Sequence, residues 1–131
     1  MGLQDKPTKY WANHNRISAF QAAKAGFITL WKEEFNFRIH LLMTLAVVVA
    51  GFIFQISTTE WLIIILLIGH VIALEMINSA IETVVDLVVG TKWDQHAKRS
   101  KDIAAAAVMM MALIAVVVGI IIFVPYLVKL F

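Results

Sequence analysis

Long apolar runs separated by short polar connections dominate this chain. They lie at 37–56, 61–89 and 103–128. Each can supply the roughly 20 helical residues that cross a hydrocarbon core of about 30 Å. In the first run the polar residues Arg38 and His40 sit at one end. Backbone amides find no water to bond in lipid, so runs of this kind are predicted to be helices. The expected elements are transmembrane helices at 35–56, 60–89 and 101–128, with a surface helix at 16–33 and loosely ordered residues at 1–15. The predicted fold class is an all-α membrane protein forming one domain over 1–131.

The connections agree with this reading. Ser57-Thr58-Thr59-Glu60 has the form of a tight turn in which Ser57 and Glu60 build a capping box for the second span. Gly90 is a natural stop for that helix, and 91–101 is expected to be a polar loop. Pro125 falls near the last turn of the third span. In the surface helix Ile17, Phe20, Phe27, Leu30 and Trp31 recur at helical spacing among Arg16, Gln21, Lys24 and Lys32. That pattern suits an amphipathic helix on the membrane surface; a short helix packed on the bundle is the alternative. Ala104 to Ala107 allow close helix approach, and Met109 to Met111 read as adaptable packing.

Composition and charge set the solvent and the orientation. Apolar residues make up 61% and charged residues 15%, with a mean hydropathy of +0.84. Soluble domains run near 45–50% and 25%, so the bilayer is the expected solvent. A net charge of +2 gives no reason to expect nucleic acid as a partner, and the absence of cysteine excludes disulfides. No apolar leader opens the chain, so the first span is expected to act as its own insertion signal. Lys6, Lys9, Arg16, Lys24, Lys32 and Arg38 precede or begin the first span, and Lys92, Lys98, Arg99 and Lys101 lie in the second connection. Lys129 falls on the other face. The positive-inside rule then puts the N-terminus and the 91–101 loop in the cytoplasm.

The second span carries the unusual residues. At about 100° per residue Glu75, Glu82 and Asp86 fall within roughly 40° of one another, flanked by Asn78 and Ser79. A carboxylate at mid-helix costs about 2.5–3.5 kcal/mol even on the lenient insertion scale, so such residues are functional by default. Counted from Trp61, a 30 Å core ends near Ala80. Glu75 then lies about 7 Å inside the cytoplasmic boundary, with Glu82 and Asp86 at or beyond it. Between 61 and 74 the one polar side chain is His70, nearly on the opposite face. An ion path would continue across the bilayer, and this stripe stops halfway, which argues against a proton- or ion-conducting oligomer. A non-catalytic scaffold would leave the carboxylates unexplained.

Other charges gather at the same level: Glu33, Glu34 and Arg38 at the start of the first span, Lys101 and Asp102 at the start of the third. Carboxylates that can hold a divalent cation, with lysines that can meet phosphate oxygens, suit phosphoryl transfer. Oxygen donors favour Mg2+, and a carboxylate in an apolar setting can act as general base toward a lipid hydroxyl. No Walker A or glycine-rich kinase loop is present. His14, His40, His70 and His96 show no metal-ligand spacing, and His40 is read as an interfacial or packing residue. Trp31 and Trp61 read as interfacial anchors, and Glu60 as a cap.

These residues resemble a known family. Glu75-Met-Ile-Asn78-Ser79-Ala80-Ile81-Glu82, then Val85-Asp86 and Lys101-Asp102, are similar to the motif of the small prokaryotic diacylglycerol and undecaprenol kinases, and the likeness runs from about 19 to 127. The resemblance implies an ATP-dependent lipid kinase. Glu75 would be the catalytic base, and Glu82 with Glu34 the metal ligands. Asn78, Asp86, Lys101 and Asp102 would lie around the nucleotide, with Arg16 the nearest basic contact in the surface helix. Trp31, Phe37 and Arg38 would border the lipid. It also implies a homotrimer with sites shared between subunits. The loop departs from the family pattern at Gly90-Thr91-Lys92-Trp93, where Trp93 could stack on adenine. Phe37-Arg38-Ile39-His40 and Glu60-Trp61-Leu62-Ile63-Ile64 look like the Gram-positive branch, which implies undecaprenol as the acceptor and diacylglycerol as the alternative.

Overall fold

The structure is a computed structural model describing residues 16–130. Every regular element among them is a helix: α1 (Arg16–Glu33), α2 (Phe35–Phe54), α3 (Thr58–Val89) and α4 (Gln95–Val128). The expectation for residues 1–15 lies outside the described residues, as does the side chain of Arg16. The chain forms two compact units that divide at Glu33/Glu34.

The first unit contributes α1. Its bounds match the expectation, and Ile17, Phe20, Phe27 and Trp31 are exposed. Lys24 falls inside the arc these side chains span, so the apolar stripe is interrupted by a charge.

The second unit contains α2, α3 and α4, all long and apolar enough to cross a membrane. α2 ends where Gln55 takes a left-handed conformation at φ 50°, while the amides of Gln55 and Ile56 bond back to the carbonyls of Phe52 and Gly51. This reversal closes the helix at Phe54, earlier than expected. The Ser57–Glu60 capping box is present in both halves. The Ser57 amide donates to Glu60 Oε2 at 2.7 Å, and the Glu60 amide donates to Ser57 Oγ at 3.3 Å. Gly90 ends α3 with φ 58°, where a side chain would be strained.

α4 begins earlier than predicted. Asp94 accepts a hydrogen bond from the Ala97 amide at 2.9 Å and caps the helix, so Gln95 to Ser100 form its first turns and not a loop. Polarity misled the boundary: a helix that continues past the hydrocarbon core becomes polar without ending.

α3 packs most extensively on α4 and more lightly on α2. The apolar core gathers at the end of the bundle away from the Glu75–Asp86 stripe. There Ile56, Ile64 and Ile122 are buried together, with Phe54, Trp61 and Tyr126 packed against them. Trp61 is therefore more than an interfacial anchor. Its ring lies over Gly51, where an added Cβ would come within 2.7 Å of it, and meets the Phe52 ring at a tilt with centroids 5.0 Å apart. Glu60 also does more than cap, since Tyr126 donates to its Oε2 at 2.7 Å and joins the start of α3 to the end of α4. Nearer the middle, Val71 of α3 and Ala104 and Val108 of α4 are buried. Most other large apolar side chains, such as Leu42, Leu62, Leu66 and Ile121, face outward. A protein with so much unburied apolar surface needs lipid, or further protein, around it.

Candidate active site

The polar face of α3 is graded in burial. Glu75, Asn78 and Ser79 are buried, at 3%, 7% and 5% exposure, and are the only buried polar side chains among the described residues. One turn on, Glu82 is half-buried, and Asp86 is exposed. Their four-residue and three-residue spacings put them on one side of a single helix, so the stripe runs from apolar surroundings into open surroundings within about three turns.

Local bonding fixes part of it. Asn78 Nδ2 donates to Glu82 Oε1 at 2.8 Å, an i to i+4 pair that orients the carboxylate. Asn78 Oδ1 is buried and accepts no hydrogen bond. A buried carbonyl without a donor costs about 1–3 kcal/mol, and such a group marks a place where a donor is wanted. Thr83 Oγ1 donates to the Ser79 carbonyl at 2.9 Å, which keeps that hydroxyl on the helix itself.

α4 contributes Lys101, whose Nζ lies 2.6 Å from Asp86 Oδ1 and ties the polar ends of α3 and α4 together. Asp102 does not join this pair; it bonds to Lys98 along the outside of α4. α2 contributes Glu34 at its N-cap position, half-buried, and His40 about a turn and a half along, also half-buried. Both lie within electrostatic reach of Glu75, as does Glu82. The structure therefore brings Glu34, Glu75, Asn78 and Glu82 into one neighbourhood, with Asp86 and Lys101 at its open end.

The lipid-contact residues fare differently. Phe37 is fully buried, the one large side chain among the described residues that is. Its side chain is packed inside the protein in this conformation. Arg38 is exposed, with its guanidinium over the Phe35 ring at 5.8 Å from the centroid. Trp31 is exposed on α1. Trp93 is exposed in the connection before α4.

His40, read from the sequence as an interfacial or packing residue, is half-buried on α2. Among the described residues no three His, Cys, Asp or Glu side chains stand close enough together to hold a metal ion unaided.

Three helices long and apolar enough to cross a membrane, one of them carrying a carboxylate stripe that runs from buried to exposed, mark a membrane protein with a polar site at one end. Residues 21–123 match the prokaryotic diacylglycerol kinase family. The chain belongs to that family and is a lipid kinase, with ATP as the phosphoryl donor the family uses. It is 41% identical to the undecaprenol kinase of Bacillus subtilis over 112 residues, covering 83% of this chain and 88% of that protein. It is 37% identical to a diacylglycerol kinase of a Synechocystis species over 105 residues, covering 80% of this chain and 60% of the other. A diacylglycerol kinase of Helicobacter pylori is 35% identical over 85 residues, with 65% of this chain and 66% of that protein covered.

Proposed function

We propose that this protein transfers the γ-phosphoryl group of ATP to undecaprenol at the cytoplasmic face of the bacterial inner membrane, with Glu75 as the general base. The observation that carries the reading is the burial gradient along one face of α3, from Glu75 at 3% exposure to the open Asp86. An acceptor hydroxyl arrives from the acyl region and a nucleotide from water, and such a gradient is where the two meet. Glu75 removes the hydroxyl proton as the alcohol oxygen bonds to the γ-phosphorus and the bond to ADP breaks. The basic residues of α1 and of 92–101 support the cytoplasmic orientation.

The donor set suits Mg2+. Glu82 is held by Asn78 through one oxygen, and Glu34 carries another carboxylate near Glu75. Mg2+ takes one or two protein carboxylates and completes its shell with phosphate and water, so a larger acidic cluster is not required. When bound there it would neutralise charge on the phosphates. Asp86, Lys101 and the outer pair Lys98–Asp102 lie toward the nucleotide side, with Asn78 between. Arg38 would border the acceptor. Assembly as a homotrimer is supported by His70, a polar side chain exposed near the middle of α3, where a protein neighbour suits it better than lipid.

Undecaprenol is favoured by the breadth of the match to the Bacillus subtilis undecaprenol kinase. The diacylglycerol kinases among the relatives support the alternative acceptor. The test is transfer of label from ATP, with Mg2+, to either alcohol presented in lipid to the purified protein. Labelled undecaprenyl phosphate is expected, with strong loss in Glu75→Gln and Glu82→Gln. A Glu75→Gln protein that keeps its rate removes the assigned base, and faster labelling of diacylglycerol reverses the acceptor.

A further inference from the structure

The open end of the α3 face is closed by an ion pair. Lys101 Nζ lies 2.6 Å from Asp86 Oδ1, with the side chains 34% and 60% exposed. Asp86 stands one turn beyond Glu82 on the same side of α3. Lys101 is thus the cation that α4 turns toward this face. The cations beside it are placed otherwise: Lys98 bonds to Asp102 on α4 itself, and Arg99 is exposed.

A triphosphate does not suit this arrangement as it stands. Its oxygens are anionic acceptors, and so are the carboxylates of Glu82 and Asp86, so neither acid can bond to it directly. The ammonium of Lys101 can, but Asp86 already holds it. That hold is weak, because a water-exposed ion pair is screened and contributes little. A phosphate group carries more charge than a carboxylate and takes strong charge-assisted bonds from a cation. The flexible lysine stem lets the ammonium change partners while its Cα stays on α4.

We propose that Asp86 is a placeholder for the nucleotide: in the empty site it holds Lys101, and an arriving triphosphate draws the ammonium off Asp86 onto its own oxygens. This rests on the nucleotide binding at the open end of the α3 face. Asp86 is a positioning residue that acts on the nucleotide through Lys101. It keeps the ammonium at the mouth of the site and opposes binding by the strength of the pair. The bond from Tyr126 to Glu60 joins the same two helices at their other end, so the exchange unties α3 from α4 at the site end only.

The test is a double-mutant cycle on the Kd of AMP-PNP, an ATP analogue that cannot transfer its terminal phosphate, with Mg2+ and the full-length protein in lipid nanodiscs. Asp86→Asn is expected to lower Kd about two- to fivefold, the range an exposed ion pair spans. Its thermal midpoint without nucleotide should fall slightly, since the pair is lost. A residue that only braced the fold would weaken binding and stability together. Lys101→Met is expected to raise Kd about tenfold, and in that background Asp86→Asn should have no comparable effect. Equal tightening in both backgrounds would mean that Asp86 merely repels phosphate, and overturns the exchange. An unchanged or raised Kd in Asp86→Asn overturns it as well. If Lys101→Met binds AMP-PNP like wild type, the nucleotide does not sit at this end and the underlying reading fails. If Lys101→Met does not fold, Lys101→Gln takes its place in the cycle.

Discussion

Replacing Asn78 by leucine separates what that residue does for the fold from what it does for the reaction. The side chain makes one good bond, from Nδ2 to Glu82 Oε1 at 2.8 Å, and leaves Oδ1 buried without a donor. A bond to a charged partner contributes about 1.5–3 kcal/mol, with the lower end applying here because Glu82 is half-buried and can hydrate when released. Burying an unpartnered carbonyl costs about 1–3 kcal/mol. Leucine has nearly the same shape, so it loses the bond, removes the penalty and opens no cavity. Unfolding free energy, followed by denaturant titration in mixed micelles, should therefore change by no more than about 1 kcal/mol. Turnover should fall at least about tenfold, or about 1.4 kcal/mol in the barrier, because Glu82 loses the group that aims it. A stability loss above about 3 kcal/mol would mean that Oδ1 is satisfied in the folded protein. Unchanged turnover in a stable Asn78→Leu protein would refute the orienting role.

Other consequences can be checked in the same preparations. Gly51→Ala would press a methyl into the Trp61 ring, at 2.7–2.8 Å, and overpacking of this kind costs about 1–3 kcal/mol. In a Trp61→Phe background those ring atoms are gone, so the same change should become neutral or stabilising by up to about 1 kcal/mol through helix propensity; equal effects in both backgrounds would contradict the contact. Tyr126→Phe removes the bond to Glu60 and should lower stability by about 1 kcal/mol without altering kcat. Chelation of divalent cations should abolish phosphoryl transfer in the labelled-ATP assay, and added Mg2+ should restore it; full activity after chelation would remove Glu34 and Glu82 as ligands.

What could be read from the sequence was whatever one helix decides alone. The 32 residues of α3 carry their own evidence, since apolar length, the Ser57–Glu60 box and the Gly90 stop are all local. The Glu75–Asn78–Glu82 face follows from helical periodicity and needs no partner. What escaped depends on two helices at once. Trp61 meeting Gly51 and Tyr126 reaching Glu60 are pairings across elements. Phe37 was legible as apolar and near the boundary, but whether it faces lipid or protein is decided by its neighbours. The start of α4 was misplaced for a different reason. Hydropathy reports where the bilayer ends, while Asp94 reports where the helix begins.

The bonds at opposite ends of α3 and α4 have a mechanical meaning. Tyr126 with Glu60 at one end and Lys101 with Asp86 at the other pin two antiparallel rods against sliding. A slip of one helical turn, about 5.4 Å, would break both pins together. The pair therefore behaves as a stator. α2 packs on α3 less extensively than α4 does, so the α3–α4 pair is the firmer part of the bundle.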